Sequence, residues 1–410
     1  MHREIPSAAG FFTNAEPSKP PPDMKAGLTG VKPMLVSLGV LLLGFLFLLP
    51  ERCAVNVAFL RKDTPEAAEL RERVGLAPGF SIAVYASDLP GVRVLRFTEA
   101  GDLLASLPEA GSIVLLERDR NGDGWPDGRR ELLGGLRRPH GIDVFEDTVY
   151  VAETDAVGRV RFDARSGQTV GEYRHIVRDL PAGGNHWSRS VRFGTDGLMY
   201  VTVGSSCNVC IEDHPWRAAM LRFRADGSGA EVYATGLRNT VAFDWRRPGA
   251  GGPDVLYGAD IGRDLLGDDV PPDELNRLER GGFYGWPYAY GDGVPDPDFG
   301  ARNVDRIAGS LAPVHGFAAH SSPTGMTFLR GRGLPADYRG AALVALHGSW
   351  NRTEKQGYEV VSLHFGDDGR IAERKFATGF EVDEDVIGRP SDVSEGPDGA
   401  IYISDDFTGS

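Results

Sequence analysis

One pattern of residues recurs along the chain, and it narrows the possible folds more than any other feature. Its form is a short apolar strand, a Gly/Asp turn, a second apolar strand and then a polar loop. The copies are "VRVLRFTEAGDLLASLPEAGSIVLLE" from residue 92, "HGIDVFEDTVYVAET" from 140, "RSVRFGTDGLMYVTVGSS" from 189, "NTVAFDWRRPGAGGPDVLYGADIG" from 239, "TGMTFLRGRGLPADYRGAALVALHGS" from 324 and "PSDVSEGPDGAIYISDD" from 390. Early copies begin about 50 residues apart, and the spacing widens where insertions occur, chiefly at 263–320. Period-2 alternation with Gly and Asp in the turns means antiparallel strands, with room for four in each period. The expected fold is therefore all-β, a six-bladed β-propeller over residues 76–410. A ring of repeats also suits a folded part too long for one ordinary core.

Blade geometry makes a functional prediction. The first strand of each blade runs down beside the central channel and the second runs back, so the residues before the one and after the other emerge on one face. Before the first strands stand Arg138 and His140, His186 and Arg189, Arg238 and Asn239, His320 to Ser322, and Arg389. After the second strands stand Glu153, Ser205 to Cys210, Asp260, His347 with Ser349 and Trp350, and Asp405 with Asp406. Any one histidine here reads most simply as a hydrogen-bonded loop residue. Recurrence at equivalent places in several repeats instead suggests a mouth suited to an anionic, planar or sugar-like ligand.

The residues before the repeats concern location. Residues 1–30, with "KPPP" and no hydrophobic periodicity, read as a disordered tail. The uncharged run "MLVSLGVLLLGFLFLL" at 34–49, preceded by Lys25 and Lys32, reads as a signal peptide or transmembrane anchor within 31–50, with a linker over 51–75. Lysines on its N-terminal side place the rest of the chain outside the cytoplasm, on the periplasmic side and held at the membrane by this segment alone. A formal net charge of −14 excludes nucleic acid and anionic membrane surfaces as expected partners. Cys207 and Cys210 stand as C-x-x-C in "GSSCNVC". Ile211 follows where covalent haem attachment needs His, and the third cysteine, Cys53, is far away, so a four-ligand zinc site is not expected. Outside the cytoplasm a disulfide is favoured, either as a staple that stiffens the rim of the site or in a redox role.

"GNHWSRSVRFGTDGLMYVTVG", "GLRNTVAFDW", "PPDELNRLERGGFYGWPYAYGD", "HSSPTGMTF", "HGSWNRT" and "GRPSDVSEGPDGAIYISDD" together resemble the soluble, pyrroloquinoline-quinone-dependent sugar dehydrogenases, in particular the L-sorbosone dehydrogenase type. The resemblance covers residues 76–406. It implies a six-bladed propeller with the quinone over the channel mouth and Ca2+ beneath it, oxidising an aldose or sugar aldehyde and passing electrons to an external acceptor, a cytochrome or the quinone pool. His186 then matches the general base, a role that an imidazole fills near neutral pH. Arg238 matches the group that stabilises negative charge on the quinone oxygen. Arg189, Asn239, Arg389 and His347 are the expected cofactor contacts. For the metal, the insert "ADIGRDLLGDDVPPDELN" at 259–276 is dense in oxygen donors. The expected ligands are Gly262 through its carbonyl region, Asp268, Asp269 and Glu274. Asp119, Asn121, Asp123 and Asp127 in "DRNGDGWPD" form a second place, either a weak Ca2+ loop or an Asp/Gly-rich hairpin turn.

Three departures from the family pattern bear on the site. Ser205 stands where glucose-oxidising members carry an Asp that pairs with the base, Arg389 stands alone where they carry two arginines, and the last repeat stops at "SDDFTGS". The 76–95 segment is then expected to complete the sixth blade, unless the reading frame is truncated. Two other functions fit a propeller of this kind, a Ca2+-dependent lactonase and a non-catalytic binding module. Central positions richer in His and Arg than in carboxylates count against the first.

Overall fold

The computed structural model describes residues 62–410 apart from 248–251 and 332. The expected tail and membrane segment, and the linker as far as residue 61, lie outside the described residues. No helix among the described residues is long and apolar enough to cross a membrane.

Alternating strands form the expected antiparallel meanders. Blade I pairs Leu95–Phe97, Leu103–Leu107, Ser112–Glu117 and Gly128–Leu133 in chain order. Blade II pairs Ile142–Phe145, Thr148–Ala152, Val157–Asp163 and Gln168–Val177. Blade III pairs Arg189–Phe193, Met199–Val203, Ala219–Phe223 and Glu231–Thr235, with Gly282–Phe283 added in parallel at its edge. Blade IV pairs Thr240–Arg246, Val255–Asp260, Asp273–Arg277 and His315–Phe317, so the 263–320 insert hangs on its outer strands. Blade V pairs Pro323–Phe328, Ala342–Leu346, Glu359–Phe365 and Ile371–Thr378, and Gly75–Leu76 joins its outer edge. The second strands of blades I, III and V are buried along their whole length, because packing between neighbouring blades covers both of their faces.

Five blades, and not the expected six, are complete. The last repeat contributes only the pair Pro390–Glu395 and Ile401–Asp405. The 76–95 segment does not supply the outer strands: Gly75–Leu76 pair with blade V, and Tyr85 packs edge-on against Tyr402 from an irregular stretch. An apolar cavity of about 670 Å³ remains there, lined by Val84, Tyr85, Phe97, Ile401, Tyr402 and Ile403. It lies apart from His186 and Arg238, neither of which lines it.

The ring closes all the same, through its innermost strands. Asp143 Oδ2 accepts the Phe193 N–H at 2.7 Å, Asp244 Oδ2 the Phe328 N–H at 2.8 Å, and Asp392 Oδ2 the Leu95 N–H at 2.9 Å. Each bond joins one blade to another. Arginines lie between these carboxylates, Arg96 beside Asp143 and Asp392, Arg192 and Arg330 on Asp244. Buried carboxylates in such a belt are tolerated because each meets both a guanidinium and a backbone donor.

Candidate active site

The structure brings the residues before first strands and after second strands together, as the repeat geometry requires. A shared device sets the entry loops: a carboxylate at the end of a second strand accepts backbone N–H groups from the loop entering the same blade. Glu153 accepts the Arg137 N–H, Asp260 the N–H groups of Arg238 and Asn239 at 3.0 and 2.9 Å, and Asp405 that of Arg389 at 2.9 Å.

His186 is oriented by Ser205. Its Nδ1 lies 2.9 Å from both the Ser205 carbonyl and Ser205 Oγ, and the Ser205 hydroxyl donates onward to the Cys207 carbonyl at 2.7 Å. A carbonyl only accepts, so Nδ1 carries the hydrogen and Nε2 keeps its lone pair. Ser205, which stands where the family pattern has an Asp, is thus a neutral acceptor that fixes this tautomer. Burial pushes the His186 pKa down to about 3, and the charges of Arg238, Arg189 and Arg217 add to the effect against the Ser205 carbonyl bond. The ring is neutral at pH 7.

Gly204 leaves room for this arrangement. A Cβ there would stand 2.5 Å from Asn239 Oδ1 and 2.7 Å from His186 Cβ, closer than packed atoms approach. Asn239 therefore lies against His186, and among the described residues its side-chain amide has no hydrogen-bond partner.

Arg238 is only 2 % exposed. Its Nε donates to the Asn208 carbonyl at 2.9 Å, Nη1 to the Ile261 carbonyl at 3.2 Å, and Nη2 to Asn208 Oδ1 at 2.9 Å and Asp264 Oδ2 at 2.7 Å. A guanidinium has five N–H donors. These four bonds leave one Nη1 hydrogen for a ligand.

Arg189 belongs elsewhere than among the expected cofactor contacts. It is fully buried, and its guanidinium donates to the carbonyls of Pro181, His186 and Ser188 at 2.7 to 2.9 Å. Those bonds clamp the loop that presents His186. Arg217, which sequence reasoning passed over, does the same from the other side, donating to the carbonyls of Gly183 at 2.6 Å and Gly204 at 3.2 Å. Arg389 Nε and Nη2 donate to the carbonyls of His347 and Gly348 at 3.1 and 2.9 Å, beside the Tyr358 ring. His347 Nε2 meets Asp406 Oδ1 at 2.7 Å, and Arg93 holds Asp406 Oδ2 at 2.8 Å. Burial would raise the Asp406 pKa, but His347, Arg93 and Arg389 outweigh it and keep the carboxyl ionised. Arg93 precedes the first strand of the first repeat, so its place in the repeat was the signal available for it.

The expected metal ligands separate. Asp268 Oδ1 accepts the Thr353 N–H and Asp269 pairs with Arg352, which turns both toward blade V and away from Glu274. Asp264 serves Arg238 and also accepts from Asn351 Nδ2 at 3.1 Å. Glu274 accepts from Gly291 N at 2.7 Å and Asn276 Nδ2 at 3.1 Å, and the Gly262 N–H donates to Asp273 at 2.8 Å. Asp260, Gly262, Glu274 and Asp296, together with Arg238 and the Arg263 that pairs with Asp296, line a cavity of about 20 Å³, enough for one water or ion. Burial pushes Asp260 up to about 6 and Glu274 to about 7, the latter with help from the Asp260 charge. Carboxylates this costly to ionise suit a hard cation that would repay their charge. Among the described residues the one group with metal-ligand atoms already close together is Cys207, Cys210 and Glu212, and its sulfurs are joined in a disulfide.

The 119–127 loop is folded by hydrogen bonds from backbone N–H groups to its own side chains. Asp119 accepts the N–H groups of Gly122 and Gly124, Asn121 that of Asp123, and Asp123 that of Trp125.

The glucose/sorbosone dehydrogenase family model matches residues 145–410. An uncharacterised protein of Borreliella burgdorferi is 29 % identical over 286 residues, 66 % of this chain and 74 % of that one. Among solved structures, a calcium structure of a Trichoderma reesei carbohydrate-active enzyme of family AA12 superposes with a TM-score of 0.71 at 20 % identity, over 82 % of this chain and 95 % of its own. The holo PQQ domain of Coprinopsis cinerea pyranose dehydrogenase gives 0.69 at 21 % identity, over 87 % and 98 %. The PQQ-bound aldose sugar dehydrogenase of Streptomyces coelicolor gives 0.58 at 20 % identity, over 82 % and 92 %. At these identities the structures establish a shared fold. The family match spans more than half of the residues and includes His186, Arg238 and Asn239, so the chain belongs to the glucose/sorbosone dehydrogenase family.

Proposed function

We propose that this protein is a pyrroloquinoline-quinone-dependent sugar dehydrogenase that oxidises an aldose or a sorbosone-like sugar aldehyde at the channel mouth. The observation that carries the reading is His186, held with its Nε2 lone pair free, beside the Asn239 amide and the spare Nη1 hydrogen of Arg238. When bound, the quinone supplies an electrophilic carbonyl that accepts hydride. His186 Nε2 takes the proton of the substrate hydroxyl on the carbon that loses hydride, so an aldose hemiacetal leaves as its lactone. The fixed Arg238 charge favours the negative charge that grows in the transition state, in a site where burial strengthens the interaction. An anionic cofactor at the mouth would offset the positive charge that Arg238, Arg189 and Arg217 exert on His186 and so raise its basicity.

The donor set fits a tricarboxylate: Arg389, Asn239 and the remaining Arg238 hydrogen are hydrogen-bond donors around one mouth. Titratable His347, engaged by Asp406, completes that side. Asp260, Glu274 and the Gly262 region are the proposed Ca2+ ligands, in place of Asp268 and Asp269. Structural relatives described as calcium-bound and PQQ-bound support both groups. We place the enzyme on the periplasmic side, tethered by residues 34–49, with electrons leaving to a separate cytochrome or quinone acceptor.

The test is to titrate the purified protein with the quinone and Ca2+ and to follow dye reduction over a panel of aldoses and ketoaldoses, alongside His186→Ala. Saturable, cofactor-dependent reduction that disappears in the variant is expected. A folded protein that binds no quinone would end this reading.

A further inference from the structure

The disulfide-closed loop touches both reactive side chains. Cys207 and Cys210 are bonded to each other, and Asn208 lies between them. Asn208 accepts two of the four bonds that fix Arg238, one through its carbonyl and one through Oδ1, each at 2.9 Å. The same Oδ1 accepts the Asp264 N–H at 2.8 Å, while Asn208 Nδ2 donates to the Asp264 carbonyl at 3.0 Å. Asp264 in turn holds Arg238 Nη2. On the other side of the loop, the Cys207 carbonyl accepts the Ser205 hydroxyl whose residue orients His186.

We propose that Asn208 is a positioning residue for the dehydrogenase chemistry, and that the Cys207–Cys210 disulfide serves to hold Asn208 and the Cys207 carbonyl in register with Arg238 and His186. This rests on the dehydrogenase reading for its catalytic consequence, but its structural content does not depend on a bound cofactor. A four-residue loop has few ways to present two carbonyls and one side-chain amide to two different partners. Closing it covalently removes the alternatives before any ligand arrives. Asn suits the position because one side chain must both accept from a guanidinium and donate to a carbonyl, a combination that Asp, Ser and Ala do not offer in the same geometry. Asp264 is drawn from the 263–320 insert, so the insert is tied to the site through this residue.

The experiment compares wild type, Asn208→Ala, Asn208→Asp and the double variant Cys207→Ser/Cys210→Ser. The cofactor-free proteins are followed by the NMR titration of His186, the quinone dissociation constant by tryptophan quenching, and kcat and KM by dye reduction. The cations that face His186 are Arg238, Arg189 and Arg217, and of these Arg238 is the one that Asn208 contacts. In Asn208→Ala and in the double variant the His186 midpoint should rise by about one unit as Arg238 leaves its place. Turnover should fall by about tenfold to a hundredfold with the sugar KM little changed, since misplacement of a charge-stabilising group acts on the transition state. Asn208→Asp keeps an acceptor for Arg238 but loses the donor to the Asp264 carbonyl, so its turnover should fall between those of wild type and Asn208→Ala. An unchanged His186 midpoint in folded Asn208→Ala, or a loss of thermal stability with kcat and KM both intact, overturns the proposal. A wild type that neither binds quinone nor oxidises any sugar ends the dehydrogenase reading instead, and the cofactor-free His186 titration still decides whether the loop positions Arg238.

Discussion

Glu274→Gln tests whether the acidic wall beside the mouth waits for a cation. In the folded, metal-free protein the Glu274 pKa is raised from 4.5 to about 7 by burial, with the Asp260 and Asp273 charges adding to it. A raised folded pKa means that the folded state binds the proton more tightly than the unfolded chain does. Its contribution is fully present below the unfolded pKa and is lost as pH rises through the folded one. A shift of this size corresponds to about 3 kcal/mol at about 1.36 kcal/mol per unit. Wild-type stability alone would not isolate the effect, because buried His186 titrates in the opposite sense and destabilises the protein as pH falls below its unfolded value. The difference between wild type and Glu274→Gln removes that background. Measured by urea unfolding with a chelator present, the variant should gain on wild type by about 3 kcal/mol between pH 4.5 and 8, whatever constant cost the lost Gly291 and Asn276 bonds impose. Added Ca2+ at pH 8 should stabilise wild type and leave the variant unmoved. A difference that is flat across this range, or that moves in favour of wild type, would refute the assignment of Glu274 as a buried, protonatable metal ligand.

Other expectations follow from single contacts. Gly204→Ala should leave the fold intact but cost about 1–3 kcal/mol in thermal unfolding, and it should lower turnover, because its Cβ would displace Asn239 and His186 together. Equal turnover would show that neither side chain's place matters. Asp244→Asn should destabilise by about 3–5 kcal/mol, read by chemical denaturation, since Arg192 and Arg330 both end on a carboxylate that is 1 % exposed. Asp406→Asn should weaken quinone binding as well as stability, because Arg93 and His347 lose a shared acceptor at the mouth. A cofactor dissociation constant identical to wild type would remove that corner from the site.

Much of the site was legible because a propeller converts position in a repeat into position in space. His186, Ser205, Arg238, Asn239, Asp260, His347, Arg389 and Asp406 all flank first or second strands. Strand alternation and turn chemistry depend only on neighbours a few residues away, so the meanders could be read directly. The inner aspartates were visible too, in "GIDVF", "AFDW" and "PSDV", once per repeat in three repeats. Their role was not, because it lies in a bond to another blade, 50 residues away for Asp143 and 84 for Asp244.

Roles within the mouth were beyond the sequence for the same reason. Arg189 and Arg238 stand equally before first strands, yet one clamps the carbonyls of its own loop and the other is held across by Asn208 and Asp264. Asp268, Asp269 and Glu274 sit within seven residues of one another, yet Arg352 and Thr353 of blade V draw the first two aside.

The sequence by itself determined the repeat, the strand direction, the face that carries polar residues and the family, since each is written in local patterns. Tertiary structure decided that Gly75–Leu76 join blade V and not the last repeat, that Ser205 orients His186, and that burial makes Glu274 reluctant to ionise. Those outcomes depend on which distant groups exclude water and which offer a partner, and no local pattern encodes either.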